Sequence, residues 1–228
     1  MRRVRRTLQT ERGRGRGLID LHCGNNLIGT QYGMVSPQLQ FMHLMPYIDS
    51  LWFGEGYDYL GSDPDYWLVE TSGLPFGLMG DMMHAGHVWR GMLYGMTTRF
   101  RCADPTPLWR LWDAFGIADA RMIGYWEAGA PVRSTCDTVL VSAYVRRGNA
   151  TLLALASWDH EPRTCALTID YTALGFYHQP PRVRVTLPDL APFGQPGPRE
   201  LPLRAADRYH PVLSIEAQQG AIVLVERT

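Results

Sequence analysis

The arrangement of apolar residues changes near residue 120, and this change constrains the fold more than any other feature of the chain. Before it, short apolar runs alternate with segments whose apolar residues recur at helical spacing. Such alternation is typical of parallel strand–helix units. After it, β-type runs are separated by turns rich in Pro and Gly, as in antiparallel β modules. We therefore expect an α/β domain over 1–120 and an all-β domain over 121–228.

Individual elements can be predicted within the first domain. Apolar runs predict strands over 18–23, 50–55 and 90–98. Helical spacing predicts helices over 36–48, 62–73 and 105–117. The second of these helices has Asp63 as a candidate cap and Pro64 at its first position, and the third has Gly116 as a stop signal. The tryptophans of these helices are expected in the core: Trp67, Trp109 and Trp112.

The second domain is expected to be an antiparallel β-sandwich. Residues 138–158 contain two β runs around Arg147, Gly148 and Asn149, which predicts a hairpin. Further strands are predicted over 165–171, 182–187 and 221–227.

Charge and hydropathy argue against a nucleic-acid partner and against a membrane span. The formal net charge of the 228 residues is zero, which argues against a nucleic-acid partner held by its phosphates. No apolar run approaches the length of a membrane span. The basic start, 1–17, lacks the apolar segment of a secretory signal. A cytoplasmic location is therefore expected for the chain as written.

The sequence also limits metals and cofactors. The four cysteines lie far apart and form no CxxC pair, which argues against a zinc ribbon: Cys23, Cys102, Cys136 and Cys165. Reduced thiols are the default expectation, with one disulfide as the open alternative. His84 and His87 lack a third ligand nearby. We expect no metal and no cofactor.

Polar side chains at the end of the first predicted strand form half of a candidate ligand site. Side chains alternate along a strand, so Asp20 and His22 share one face. Two polar groups on one face of an apolar strand need hydrogen-bonding partners or a cavity. Asn25 follows in the next loop. A structural role, with His22 as a satisfied strand residue, is the competing interpretation.

The stretch LWFGEGYDY, residues 51–59, supplies the other half of the site. It combines aromatic rings with carboxylates next to glycines, and its candidate contact residues are Trp52, Glu55, Tyr57 and Asp58. Glycine lets a ligand approach the backbone closely. An aromatic ring suits the apolar face of a sugar, and carboxylates accept hydrogen bonds from its hydroxyls. The predicted substrate is therefore a carbohydrate.

Several phrases in order carry a family resemblance. LIDLHCGNN, WFGEGYDY, DYWLVETSGLPFGLMGDMM, WRGMLYGMTTR, LWRLWDAFGI and ARMIGYWEAGAPVRS resemble the glycoside hydrolase family 123-like proteins. The resemblance covers roughly residues 1 to 175. It implies the last few units of a (β/α)8-barrel followed by a C-terminal β domain, and it implies sugar hydrolysis.

The resemblance does not carry a catalytic residue onto this sequence. It implies action on β-linked N-acetylgalactosamine, with an adjacent Asp-Glu pair and the acetamido group of the substrate as nucleophile, an exception to the scheme of two enzyme carboxylates. No Asp-Glu or Glu-Asp dipeptide occurs here. The catalytic residues are therefore unknown, and Glu55 and Asp58 are assigned to sugar binding or charge stabilisation. A non-catalytic carbohydrate-binding or interaction module is the alternative function.

The length of the chain also indicates that the expected barrel is incomplete. A (β/α)8-barrel needs about 200 to 250 residues, and only about 120 precede the β module. The expected barrel is incomplete and presents an unpaired strand edge. We therefore expect a C-terminal fragment or a reduced relative, with self-association or missing N-terminal domains as its partners.

Overall fold

A computed structural model describes most of the chain. The residues it describes are 1–13, 17–23, 43–53, 59–82, 87–96, 104–177, 182–187, 199–201 and 210–227. They form two compact units. The first unit comprises Met1–His87 and Met96–Arg101, and the second comprises Val88–Gly95 and Cys102–Thr228. The domain boundary near residue 120 stays a prediction.

The first unit is built from short helices and parallel strands. In chain order its described elements are α1 (Arg2–Arg12), β1 (Asp20–Cys23), a 3-10 turn (Met45–Tyr47), β2 (Ser50–Phe53), α2 (Pro64–Tyr66), a π-helical turn (Trp67–Thr71), a 3-10 turn (Leu74–Phe76) and β3 (Met79–Asp81). The strands pair in the order β1-β2-β3, and both pairings are parallel. The parallel pairing predicted for this part is therefore confirmed.

The predicted helix over 62–73 begins and ends as expected. The side chain of Asp63 accepts a hydrogen bond from the backbone N–H of Tyr66 at 2.7 Å, which caps the first turn. Gly73 ends the segment with φ of 69°, a left-handed conformation that glycine adopts without strain. Only the end of the predicted helix 36–48 lies within the described residues, where Met45–Tyr47 is a 3-10 turn.

The prediction of a third strand over 90–98 is wrong. Val88–Met92 is instead a short helix, α3, whose five residues are all buried. A short apolar run buried on every side has no periodicity that separates strand from helix, and this explains the error. The third strand is β3, which contains Gly80 and Asp81, residue types that are poor strand formers.

The second unit consists mainly of antiparallel strands. After α3, its described elements are α4 (Thr106–Phe115), a 3-10 turn (Ile117–Asp119), β4 (Arg121–Ile123), β5 (Val132–Ser134), β6 (Val139–Arg146), β7 (Ala150–Ser157), β8 (Arg163–Ile169), β9 (Arg182–Leu187), β10 (Arg199–Leu201), β11 (Val212–Ile215) and β12 (Gly220–Glu226). The described strands form one sheet in the order β10-β9-β12-β7-β6-β4 and another in the order β11-β8-β5. The predicted hairpin is β6–β7, with Gly148 at φ of 70° in its turn. A sandwich of the two sheets stays a prediction.

The centre of the larger sheet is apolar on both faces. All eight residues of β7 are buried, as are six of the seven residues of β12. Helix α3 packs against β7 and β12. The Trp89 indole of α3 lies against Gly220 of β12 and donates a hydrogen bond to Gln219 Oε1 at 3.0 Å. Burial of all eight residues of β7 explains why the run over 150–157 is almost continuously hydrophobic.

The three tryptophans expected in the core differ in exposure. Trp67 is fully buried and Trp112 is partly buried. Trp109 is 44% exposed, so its assignment to the core is wrong. Helix α4 buries Leu108 and Phe115, and the residue after Leu108 projects about 100° further around the helix.

A disulfide joins Cys136 to Cys165, with Cα atoms 5.7 Å apart. It ties the segment before β6 to β8 and corrects the default expectation of reduced thiols for these two residues. In the described part of the chain, none of the helices has the length and apolar character needed to cross a membrane.

Candidate functional site

The parallel register aligns residues of the three strands of the first unit in rows. Asp20 pairs with Ser50, and Ser50 pairs with Met79. Two residues further along each strand, His22 pairs with Trp52, and Trp52 pairs with Asp81. The second row lies toward the C-terminal ends of all three strands. We call the positions of His22, Trp52 and Asp81 the strand-end row.

One face of this sheet is covered by the rest of the unit. Leu21 packs against a core cluster that contains Ile19, Met45, Ile48 and Leu78. Gly80 lies in the same row as Leu21, because both pair with Leu51. A Cβ added to Gly80 would overlap the backbone carbonyls of Thr71 and Ser72. The π-helical turn therefore packs directly on β3, and only glycine fits there.

The opposite face is open. Asp20 is exposed, and the Ser50 hydroxyl donates a hydrogen bond to Asp20 Oδ1 at 2.7 Å, which shows that both side chains lie on the same face. Met79, in the same row, is 62% exposed. Since strand residues two apart share a face, the strand-end row belongs to this open face.

The open face therefore unites residues from both halves of the candidate site. Asp20, His22 and Trp52 were singled out from the sequence, and the register assigns their positions to one face. Asn25, Glu55, Tyr57 and Asp58 lie outside the described residues, so their assignment as contact residues stays a prediction. The register adds Asp81.

Asp81 could not be found from local pattern. Its strand was not predicted, because the run LMGDMM has neither alternation nor β-branched residues. The available signal was indirect. A parallel sheet needs a strand after α2, and an acid at the end of that strand would meet the earlier candidates.

The opposite end of the sheet is fixed by an ion pair. Arg5 of α1 donates two hydrogen bonds to Asp49, at 2.7 and 2.6 Å. Asp49 also accepts the backbone N–H of Ile19 at 2.8 Å. One carboxylate thus joins α1 to the residues that enter β1 and β2. This arrangement fixes the N-terminal ends of β1 and β2.

This ion pair makes the first unit sensitive to acid. Hydrogen bonds from Arg5 are the main cause of a lowered pKa of Asp49, the Ile19 N–H adds to the effect, and burial opposes it. A carboxylate with a lower pKa in the folded state contributes stability above its unfolded pKa and loses it as the pH falls through the folded value. We expect the free energy of unfolding to decrease below about pH 4.

The Asp49→Asn variant tests this acid sensitivity. Urea unfolding should show lower stability than the wild type at pH 7 and a weaker further loss between pH 5 and pH 2. Glu11→Gln, at an exposed position of α1, is the matched control and should follow the wild type. Parallel acid curves for wild type and Asp49→Asn would contradict this role of Asp49.

The residue types at these register positions can form hydrogen bonds and stack on rings. The sequence has carboxylates at Asp20 and Asp81, an imidazole at His22 and an indole at Trp52. Among the described residues, there is no group of three or more His, Cys, Asp or Glu placed to hold a metal ion.

Comparison with known proteins identifies the family. The family model described as "Glycoside hydrolase 123, TIM-barrel domain" matches residues 1–101. The model described as "Glycoside hydrolase 123, C-terminal domain" matches residues 104–226. No curated protein sequence matches the chain at a significant level.

One solved structure is weakly similar. It is the X-ray structure of the glycoside hydrolase family 30 subfamily 8 xylanase Xyn30A from Clostridium acetobutylicum, with 12% sequence identity and a TM-score of 0.31 over 93% of this chain and 67% of that chain. A TM-score this low supports no inference about fold or function. The two family models, by contrast, match nearly the whole chain in the order of its two parts. The chain therefore belongs to the glycoside hydrolase 123-like family of carbohydrate-active proteins.

Proposed function

We propose that the chain binds carbohydrate at the strand-end row, as part of a glycoside hydrolase site. The parallel register of β1, β2 and β3 is the observation that carries the proposal, because it aligns His22, Trp52 and Asp81 at the C-terminal ends of the strands. In (β/α)8-barrel enzymes, the active site lies at the C-terminal ends of the strands. A barrel built around this sheet is part of the proposal.

The residue types suit a sugar. Sugar hydroxyls both donate and accept hydrogen bonds, and carboxylates and imidazole supply the complementary groups. The C–H faces of a pyranose are apolar and stack on an indole ring, which combines a large apolar surface with a polar N–H. Asp20 already accepts a hydrogen bond from Ser50. We therefore assign Asp20 to orienting the site and Asp81 to direct contact with hydroxyls.

The candidates that follow β2 in the sequence complete this proposal. Glu55, Tyr57 and Asp58 come shortly after Phe53, the last residue of β2. Asn25 follows β1 in the same way. Loops at this end of a barrel line the substrate cleft. We assign these four residues to substrate binding.

Non-catalytic binding is the second candidate function. It is favoured by the spacing of the carboxylates, because the sequence contains no adjacent Asp-Glu pair. Substrate-assisted hydrolysis uses such a pair in the family that the chain resembles. In this alternative the same row holds a glycan without cleaving it.

Binding and hydrolysis can be tested separately on the full chain. Binding of N-acetylgalactosamine is measured by calorimetry. Hydrolysis is measured by the release of nitrophenol from 4-nitrophenyl β-N-acetylgalactosaminide. We expect Asp81→Asn to weaken binding about tenfold, the effect of losing one hydrogen bond to a charged group. Glu11→Gln is the matched control and should bind as the wild type does.

The Glu55→Gln variant then separates two roles of Glu55, charge stabilisation and hydroxyl binding. If Glu55 stabilises developing positive charge, the variant should lose about 2–4 kcal/mol of transition-state stabilisation. If Glu55 only binds a hydroxyl, the loss should be about 1 kcal/mol. Binding without release of nitrophenol would favour the second candidate. A folded chain whose binding is unchanged by Asp81→Asn and Glu55→Gln would overturn the proposed site.

A further inference from the structure

A groove in the second unit has the features of a separate ligand site. Its volume is about 320 Å³, and it lies between β5 and the first residues of β6. The lining residues that matter for its chemistry are Tyr125, Arg133, Ser134, Cys136, Asp137 and Leu140. The volume falls at the lower end of the range for small-molecule sites. We propose that this groove binds a short stretch of an uncharged oligosaccharide.

The strand topology creates the groove. β4 pairs with β6 only at Ala143–Val145. After β4 the chain turns, and the turn is closed by a hydrogen bond from the Glu127 N–H to the Gly124 carbonyl at 3.0 Å. Positions 139–141 of β6 therefore lie beyond the end of β4. β5 is the last strand in the order of the smaller sheet. The groove occupies the space between these two strand edges.

Tyr125 forms part of the groove wall, and its ring is held in place by several contacts. Its hydroxyl oxygen lies 3.1 Å from that of Tyr94, and its backbone N–H donates to Ser142 Oγ at 3.3 Å. Its ring meets the Trp126 ring edge to face at a centroid distance of 5.0 Å, and Trp126 stacks on Tyr94 at 5.6 Å. A ring held on several sides loses little entropy when a ligand stacks on it.

Polar groups of opposite charge complement this wall. Arg133 and Asp137 are both exposed and both line the groove. One Arg133 nitrogen donates to the Ala128 carbonyl at 3.3 Å, which orients the guanidinium. Guanidinium donates hydrogen bonds and carboxylate accepts them, so together they match sugar hydroxyls. Their charges cancel, which favours an uncharged ligand over an anion.

Apolar surface supplies the remaining contacts. Leu140 and Cys136, which is half of the disulfide, also line the groove. A small-molecule site usually combines apolar side chains with a few polar groups. A peptide added as a strand along β5 fits less well, because β5 has only three residues, Val132–Ser134.

Tyrosine NMR signals of the full chain, labelled with 15N-tyrosine, provide the test. The probes are tetra-N-acetylchitotetraose, cellotetraose and xylotetraose. We expect at least one of them to shift the Tyr125 signal of the wild type. Isothermal titration calorimetry with that sugar should show about tenfold weaker binding in Tyr125→Ala and about fivefold weaker binding in Asp137→Asn. Tyr125→Phe keeps the ring and should retain most of the affinity.

Matched controls separate this site from other surfaces. Tyr177→Ala removes an exposed tyrosine elsewhere in the second unit, and Asp113→Asn neutralises an exposed acid on α4. Both variants should bind as the wild type does. Asp81→Asn should leave the Tyr125 shift unchanged, because this inference does not rest on the strand-end row.

Two results would overturn the inference. The first is a Tyr125 signal that none of the three tetrasaccharides shifts. The second is a decapeptide of alternating Val and Thr that shifts the β5 amides of a uniformly 15N-labelled chain while the sugars do not, since it would identify a strand-addition edge. Asp137 is exposed, so Asp137→Asn keeps the test informative if Tyr125→Ala fails to fold.

Discussion

Removal of the Cys136–Cys165 disulfide is expected to lower the free energy of unfolding of the second unit by about 3–4 kcal/mol. The two cysteines are 29 residues apart, and the chain-entropy relation assigns a closed loop of this size a stabilisation in that range. For a protein of this length the melting temperature should fall by roughly 7–14 °C. The variant to use is Cys136→Ala with Cys165→Ala, because Cys165 is buried and alanine avoids placing a hydroxyl there.

Reductant supplies the control for this experiment. Dithiothreitol should lower the melting temperature of the wild type and leave that of the double variant unchanged. A non-reducing peptide map should show residues 136 and 165 in one cross-linked fragment. Equal melting temperatures for the oxidised and reduced wild type would show that the bond contributes nothing to stability.

Replacement of Trp89 by alanine is expected to cost the second unit about 3–5 kcal/mol, the usual cost for a buried tryptophan. The indole is only 1% exposed and lies against Gly220. The variant also loses the hydrogen bond to Gln219 and leaves a cavity between α3 and the larger sheet. Alanine favours helix, so α3 itself should not be weakened by the substitution.

Trp109→Ala is the matched control for this prediction. It removes the same side chain from a helix of the same unit, but at a position that is 44% exposed. Its expected cost is about 1 kcal/mol or less. Urea unfolding of both variants followed by circular dichroism measures the difference. Equal losses of stability would show that α3 does not anchor the larger sheet.

Local sequence signals correctly predicted the elements that short-range interactions define. Asp63 marks the start of its helical segment and Gly73 marks the end, and Gly148 occupies the turn between β6 and β7. Each signal depends on contacts within a few residues of the chain. The parallel organisation of the first unit was also predictable, because alternation of strands and helices favours parallel pairing.

The candidate site was only partly predictable for the same reason. Alternation within a single strand was enough to assign Asp20 and His22 to one face. Pairing between strands was needed to align Trp52 with His22 and to bring in Asp81. Register is a relation between distant segments, and no local pattern of LMGDMM specifies it.

The sequence by itself therefore determined the bounds of the helical segment between Asp63 and Gly73, the hairpin of the second unit, the parallel pairing of the first unit, and the family. Only the tertiary structure decided that Val88–Met92 is a helix, that Cys136 pairs with Cys165, and that Asp81 joins the strand-end row. The physical reason is the range of the interactions. Capping, turn conformation and periodicity act between neighbours in the chain, whereas burial, disulfide pairing and strand register depend on which distant segments meet.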